Sequence, residues 1–147
     1  ITNKRNVLDC EYCYFVDRTF NRVSEMDFIT GNVDNNKENL LIAEISCHYE
    51  DEMWNRSNDE IFSLCVNDLT KDNLLKKEDI LSHKMIKMPS VYPIYRKDYK
   101  NHLKEVEKYF SKINNFFSIG RQGQFYYGDS DQMIGIGFDT ANKIIKQ

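Results

Sequence analysis

Between residues 40 and 49 the chain reads LLIAEISCHY, in which Leu41, Ala43, Ile45, Cys47 and Tyr49 alternate with more polar neighbours. Side chains of an extended backbone point to opposite faces in turn, so this run describes a strand with one buried face. Such a strand needs partners in an antiparallel sheet. Two earlier stretches can supply them: EYCYFVD, residues 11–17, and RTFNRVSEMDF, residues 18–28, both rich in aromatic and β-branched residues and parted by a short polar break. GNVDNNKEN, residues 31–39, reads as a loop and is, besides the termini, where order is least expected.

The hydrophobic period changes after the acidic turn EDEMWN, residues 50–55. Ser57 followed by Glu60 has the spacing of a capping box, and Ile61, Leu64, Cys65 and Leu69 then repeat as on one face of a helix. ILSHKMIKM, residues 80–88, reads as a further sheet segment, and the prolines of PSVYPIY, residues 89–95, exclude helix there. From Asp98 onward Tyr99, Leu103, Val106, Phe110 and Ile113 mark a helix that stops at Asn114 and Asn115. FFSI, residues 116–119, reads as a short strand. The last helix is expected to begin near Asp129 or Ser130, with Ile134, Phe138, Ala141 and Ile145 on one side. These elements define an α+β chain: an antiparallel sheet with flanking helices, then an ending of helix, strand, glycine-rich loop and helix.

Composition narrows the function classes. A net charge of −3 gives no basic field to hold a nucleic-acid backbone, which argues against that partner. No apolar run approaches the roughly 18 residues that span a bilayer, so no membrane partner is expected. The amino terminus has neither an initiator Met nor an apolar signal core, and the expectation is a piece of a longer, cytoplasmic protein. Cys10 and Cys13 form a CxxC, with Cys47–His48 a conceivable completion, but zinc needs all ligands within about 2.3 Å of one point. Positions i and i+3 of a strand face opposite ways, and Cys65 falls on the apolar face of a helix. Four reduced structural cysteines and no metal are therefore expected.

Five of the six glycines lie in GRQGQFYYGDSDQMIGIGF, residues 120–138. Gly120 and Gly123 would relax the turn, and Asp129 with Gln132 would cap the following helix. Gly135 and Gly137 inside that helix cost roughly 1 kcal/mol each against Ala, so each is expected where another backbone or a ligand approaches closely. On the residues alone, a ligand site and tight packing are equally good readings, and Phe125, Tyr126 and Tyr127 could form an aromatic core cluster.

The same run, with the preceding YPIYRKDYKNHLKEVEKYF and FFSIG, resembles the C-terminal part of FAD-dependent enzymes of the amine-oxidase-like superfamily. The nearest group is that of the UDP-galactopyranose mutases and protoporphyrinogen-oxidase-like oxidoreductases. That family's pattern is matched by Gly120, Arg121, Gly123, Phe125, Tyr127, Asp129, Asp131, Gln132 and Ile134. The upstream RTFNRVSEMDF and DEMWNRSNDEIFSLCVNDL extend the likeness over most of the chain. Ser130 stands where the mutases commonly carry Met, and Gly128 where a larger residue is usual.

The resemblance implies that Arg121 and Tyr127 contact an anionic substrate, in the mutases the diphosphate of a sugar nucleotide. It also implies that Gly120, Asp129, Ser130, Asp131, Gln132 and Met133 lie against FAD. Residues 1–98 would be a fragment of an antiparallel-sheet substrate-binding domain, and residues 99–147 the helix–strand–helix portion completing an FAD-binding domain. The dinucleotide fingerprint GxGxxG is absent from the sequence, so the partner implied is an N-terminal FAD-binding half, without which the chain is inactive. His48, His83 and His102 inherit no role. The competing reading is a stand-alone binding module that uses FYYGDSD, residues 125–131, as a contact loop without flavin.

Overall fold

A sheet of short strands meets these constraints in the computed structural model, which describes residues 1–31 and 38–146. Most of the loop expected at 31–39 thus lies outside the described residues. The chain forms two compact units, Ile1–Lys87 and Met88–Gln147.

In the first unit β1 (Tyr12–Tyr14), β2 (Arg22–Glu25) and β3 (Leu41–Glu44) pair antiparallel in that order. Cys13 faces Val23, and Val23 faces Ala43. A one-turn helix α1 (Met26–Thr30) follows β2 and stops at Gly31, whose φ of 71° is left-handed and suits a residue without Cβ. β3 is shorter than its alternating sequence. Asn21 ends the ladder: its N–H donates to the Glu44 carbonyl at 2.9 Å, while its side-chain oxygen takes the Ser46 N–H at 3.1 Å. Leu41 and Ile45 consequently pack on the core, whereas Ala43, Cys47 and Tyr49 are exposed, contrary to a single buried face.

The acidic turn is itself a short helix, α2 (Glu52–Asn55), capped by Asp51, whose carboxylate accepts the Trp54 N–H at 2.8 Å. The helix α3 (Asn58–Lys71) begins at the expected box, with the Ser57 N–H donating to Glu60 Oε2 at 2.9 Å. Hydrogen bonds from Ser57 hold the Glu60 carboxyl below its usual range. Ile61, Cys65, Val66 and Leu69 are its buried residues, and Ile61, Cys65 and Leu69 meet Phe20, Val23, Val7, Leu8 and Leu75 in one core. Burial pushes the Cys65 thiol up to about 11, so it behaves as a small hydrophobe. Residues 80–88 form no strand. Ile80 makes a lone bridge to Thr2 after a 3₁₀ turn at Lys77–Asp79, and His83 stacks on Phe62 with centroids 3.6 Å apart.

Two polar links close this unit. Glu25 has no exposed surface, and its carboxylate accepts the N–H groups of Val7 and Leu8 at 3.1 and 2.7 Å and the Asn39 amide at 2.6 Å. Arg18 donates to both oxygens of Asp72, and Asp68 accepts the Thr19 N–H at 2.7 Å, fastening the β1–β2 connection to the end of α3.

In the second unit the helices are α4 (Tyr99–Phe110), the single turn α5 (Gly120–Gly123) and α6 (Ser130–Ile145). Residues 116–119 are not a strand: among the described residues of this unit none pairs with them. Phe116 instead stacks on Phe110, 4.6 Å between centroids, which folds the segment back on α4. Ser118 Oγ donates to the Gly123 carbonyl at 2.7 Å and leads into α5.

Replacing Glu25 by Ala strands three buried donors, and each stranded donor costs on the order of 1 to 3 kcal/mol. The expected loss is roughly 3 kcal/mol or more by urea denaturation. Asp72 and Asp68 are both held below the ordinary carboxylate range, chiefly by the bonds from Arg18 and from the Thr19 backbone respectively. Depressed folded values give stability that is complete above the unfolded pKa of about 3.9 and is lost as pH falls through the folded ones. The wild-type advantage over Asp72→Asn, read as a difference in urea midpoints, is therefore expected at about pH 6 and to shrink below about pH 3.9.

Candidate functional site

The prolines at 89 and 93 keep the backbone extended and carry Tyr92 and Tyr95 towards the glycine-rich loop of the same unit. Tyr95 is the organiser. Its hydroxyl accepts the Tyr127 N–H at 2.7 Å and donates to the Phe125 carbonyl at 3.2 Å, and its ring packs against Tyr99 and Phe125 with centroids 4.5 and 5.8 Å away. These contacts hold a tight loop in which Phe125 has a φ of 49°. Gly120, at the head of α5, has a φ of 78°, as a relaxed turn requires.

The loop brings Arg121 and Tyr127 together. The guanidinium carbon lies 4.7 Å from the Tyr127 ring centroid and 5.6 Å from that of Tyr92, and the two rings are 5.2 Å apart. Such cation–π contacts contribute about 0.5 to 1 kcal/mol each at exposed sites. Arg121 Nη2 donates to the Gly128 carbonyl at 2.6 Å. Among the described residues no carboxylate comes within ion-pair distance of Arg121. The arrangement positions the cation by two aromatic rings and one donated bond, leaving the other donors for an incoming anion.

One residue beyond Gly128, Asp129 takes the N-cap position of α6, and Gln132 Oε1 accepts its backbone N–H at 2.9 Å, the expected D-x-x-Q device. Ser130, Asp131, Gln132 and Met133 form the first turn, whose leading N–H groups have no partner within the helix. Asp129 and Asp131 set carboxylates at this end and already complement the helix dipole.

The most crowded glycine is Gly128, although a Cβ at Gly123 would also stand only 3.1 Å from the Ser118 carbonyl carbon. A Cβ at Gly128 would stand 2.6 Å from Met133 Cε and Tyr126 Cε1 and 2.8 Å from Gln132 Oε1. At Gly135 and Gly137 no atom of the described residues lies within 4 Å of such a position, so it is not this chain's own backbone that approaches them.

A cleft of about 460 Å³ lies beside the loop, with Tyr99, Leu103, Val106 and Phe125 as its apolar wall and Arg96, Asp98 and His102 as its polar side. His102 Nε2 is 3.2 Å from Asp98 Oδ2, and this bond holds the Asp98 carboxyl below its usual range. Arg121 and Tyr127 do not line this cleft, although their neighbours Gln122, Gly123 and Phe125 do. Tyr92, Tyr95, Arg96 and His102 were not singled out by motif. The one signal for the tyrosines is their i, i+3 spacing across Pro93, in a segment where two prolines exclude helix.

No family profile, no curated protein and no solved structure matches the chain. Among the described residues no helix is long and apolar enough to cross a membrane.

Gly128→Ala is expected to displace Gln132 from the cap and lower stability by about 1 kcal/mol, the usual worth of a helix cap. Gly137→Ala, in open space, is expected to be neutral or to stabilise by up to about 1 kcal/mol. Parallel denaturation curves with helix content from circular dichroism check the pair.

Proposed function

We propose that this chain is the C-terminal substrate-binding and flavin-capping portion of an FAD-dependent enzyme, UDP-galactopyranose mutase-like or amine-oxidase-like, working in the cytoplasm. The observation that carries the reading is Arg121, lying over the rings of Tyr92 and Tyr127 with no carboxylate partner among the described residues, inside the motif that resembles that superfamily. A guanidinium kept in this way suits a diphosphate, which it can grip with two parallel charge-assisted bonds. Tyr127, an exposed residue, adds a phenol donor at the same place.

The residues at the start of α6 fit the pyrimidine edge of a flavin and do not fit its phosphates. They offer backbone N–H groups, while Asp129 and Asp131 disfavour a second anion there. The adenosine diphosphate of FAD would be cradled by the N-terminal half that carries the fingerprint GxGxxG. Bound FAD would supply the chemistry, either hydride acceptance from substrate or, when reduced, nucleophilic attack on a sugar carbon. The work of this chain is then to hold the anionic end of the substrate at Arg121 and Tyr127. The four cysteines are unpaired, which accords with a reducing compartment.

The test is titration of the intact flavin-containing protein with UDP. Arg121→Ala is expected to weaken binding by about 1.5 to 3 kcal/mol, the range for a lost charged hydrogen bond, or roughly ten- to a hundredfold in Kd. Unchanged affinity would make the arginine structural. Turnover of UDP-galactopyranose by the reduced protein would assign mutase chemistry, and its absence would leave the oxidoreductase.

A further inference from the structure

The cysteine pair at the entrance to the first strand has a geometry that strand periodicity did not anticipate. Cys10 precedes β1 in a bend, so the rule that i and i+3 point apart does not apply, and Cys10 Sγ lies 3.0 Å from Cys13 Sγ. The Cys10 sulfur also lies 3.2 Å from the Tyr12 carbonyl, to which it donates, so the bend is closed by its own thiol. Both residues are half-buried beside the core, near enough to solvent for a small reagent, and both are free thiols. Among the described residues no cluster of three His, Cys, Asp or Glu side chains is arranged to hold a metal.

We infer that Cys10 and Cys13 form a reversible dithiol–disulfide couple that exchanges with low-molecular-weight disulfides of the glutathione type. The sulfurs need approach by only about 1 Å to reach the 2.03–2.05 Å bond length. In the first step the Cys10 thiolate attacks one sulfur of the oxidised reagent, the reagent's S–S bond breaks and one thiolate leaves. In the second the Cys13 thiolate attacks Cys10 Sγ, the mixed disulfide breaks and the second thiolate leaves. Two cysteine thiols are oxidised to one disulfide, the reagent is reduced by two electrons to two thiols, and the protons lost by the cysteines go to the departing thiolates.

The thiol of Cys13 is pushed up to about 11, first by its hydrogen bond to Cys10 and then by burial. That leading cause disappears once Cys10 is engaged in the mixed disulfide, which frees Cys13 to complete the exchange. The couple also reaches the sheet. Glu11, inside the four-residue ring, offers the carbonyl that accepts the Glu25 N–H at 2.9 Å, so closure of the disulfide pins the edge of β1 against β2.

The native chain is incubated with defined ratios of reduced and oxidised glutathione, quenched with acid, alkylated in denaturant and mapped by peptide mass. The expected result is a Cys10–Cys13 link with Cys47 and Cys65 still alkylated, while Cys10→Ser and Cys13→Ser each retain a glutathione adduct at the remaining position. The effective concentration of the pair, from the same ratios, is expected to be about tenfold or more higher in the native chain than in urea, as for groups held in contact. An equal or lower value in the native chain would overturn the inference. So would a wild-type chain that keeps the mixed disulfide, or one in which both thiols stay alkylatable.

Discussion

A carboxylate with no exposed surface stands at the end of the central strand, and the first unit is arranged around satisfying it. Burying an unpartnered charge costs far more than any one packing interaction returns, so Glu25 can enter the interior only when its donors arrive with it. Those donors belong to separate segments: the Val7 and Leu8 N–H groups before the sheet and the Asn39 amide before β3. Neither segment lies in a helix or a strand of the sheet, and the Asn39 backbone is tied by a single bridge to Thr2. The carboxylate thereby couples irregular chain to the strand whose Val23, together with nearby Phe20, is fully buried against α3. Apolar burial supplies most of the free energy, and Glu25 decides which backbone lies beside it.

Local chemistry made some elements legible from sequence. Ser57 with Glu60, and Asp129 with Gln132, set the starts of α3 and α6 because a cap is a contact among residues three apart. Three strands were legible as elements, though not their lengths, because Asn21 cuts the ladder through a bond to a residue 25 positions away. Residues 80–88 and 116–119 are apolar runs with no partner strand among the described residues. A strand is a property of two segments, and neither run could declare alone that the second was missing.

The site divides in the same way. Arg121 and Tyr127 stand six positions apart in one motif, and a single helical turn plus a tight loop suffices to join them. Tyr92 and Tyr95 reach that loop from about thirty residues upstream, and only the folded chain brings them there. Propensity alone did not locate the glycine that this chain crowds most. Gly135 and Gly137 carry the helix penalty yet meet no atom of the described residues, while Gly128, outside the helix, is hemmed in by Met133, Tyr126 and Gln132 side chains whose positions depend on packing.

The sharpest contrast in the molecule is between its arginines. Four of the six lie in the first unit, and each has a carboxylate: Arg5 with Asp27, Arg18 with Asp72, Arg22 with Glu44 and Arg56 with Glu52. Arg18 and Arg22 are held still more firmly in the charged form by those bonds. Arg96 and Arg121 of the second unit have no such partner among the described residues, although Asp129 and Asp131 follow Arg121 within ten positions. A guanidinium that only braced the loop would gain most from a carboxylate, which binds it bidentately. Two aromatic faces and one carbonyl hold Arg121 in place without cancelling its charge, and that is the condition under which an arginine can still receive an anion.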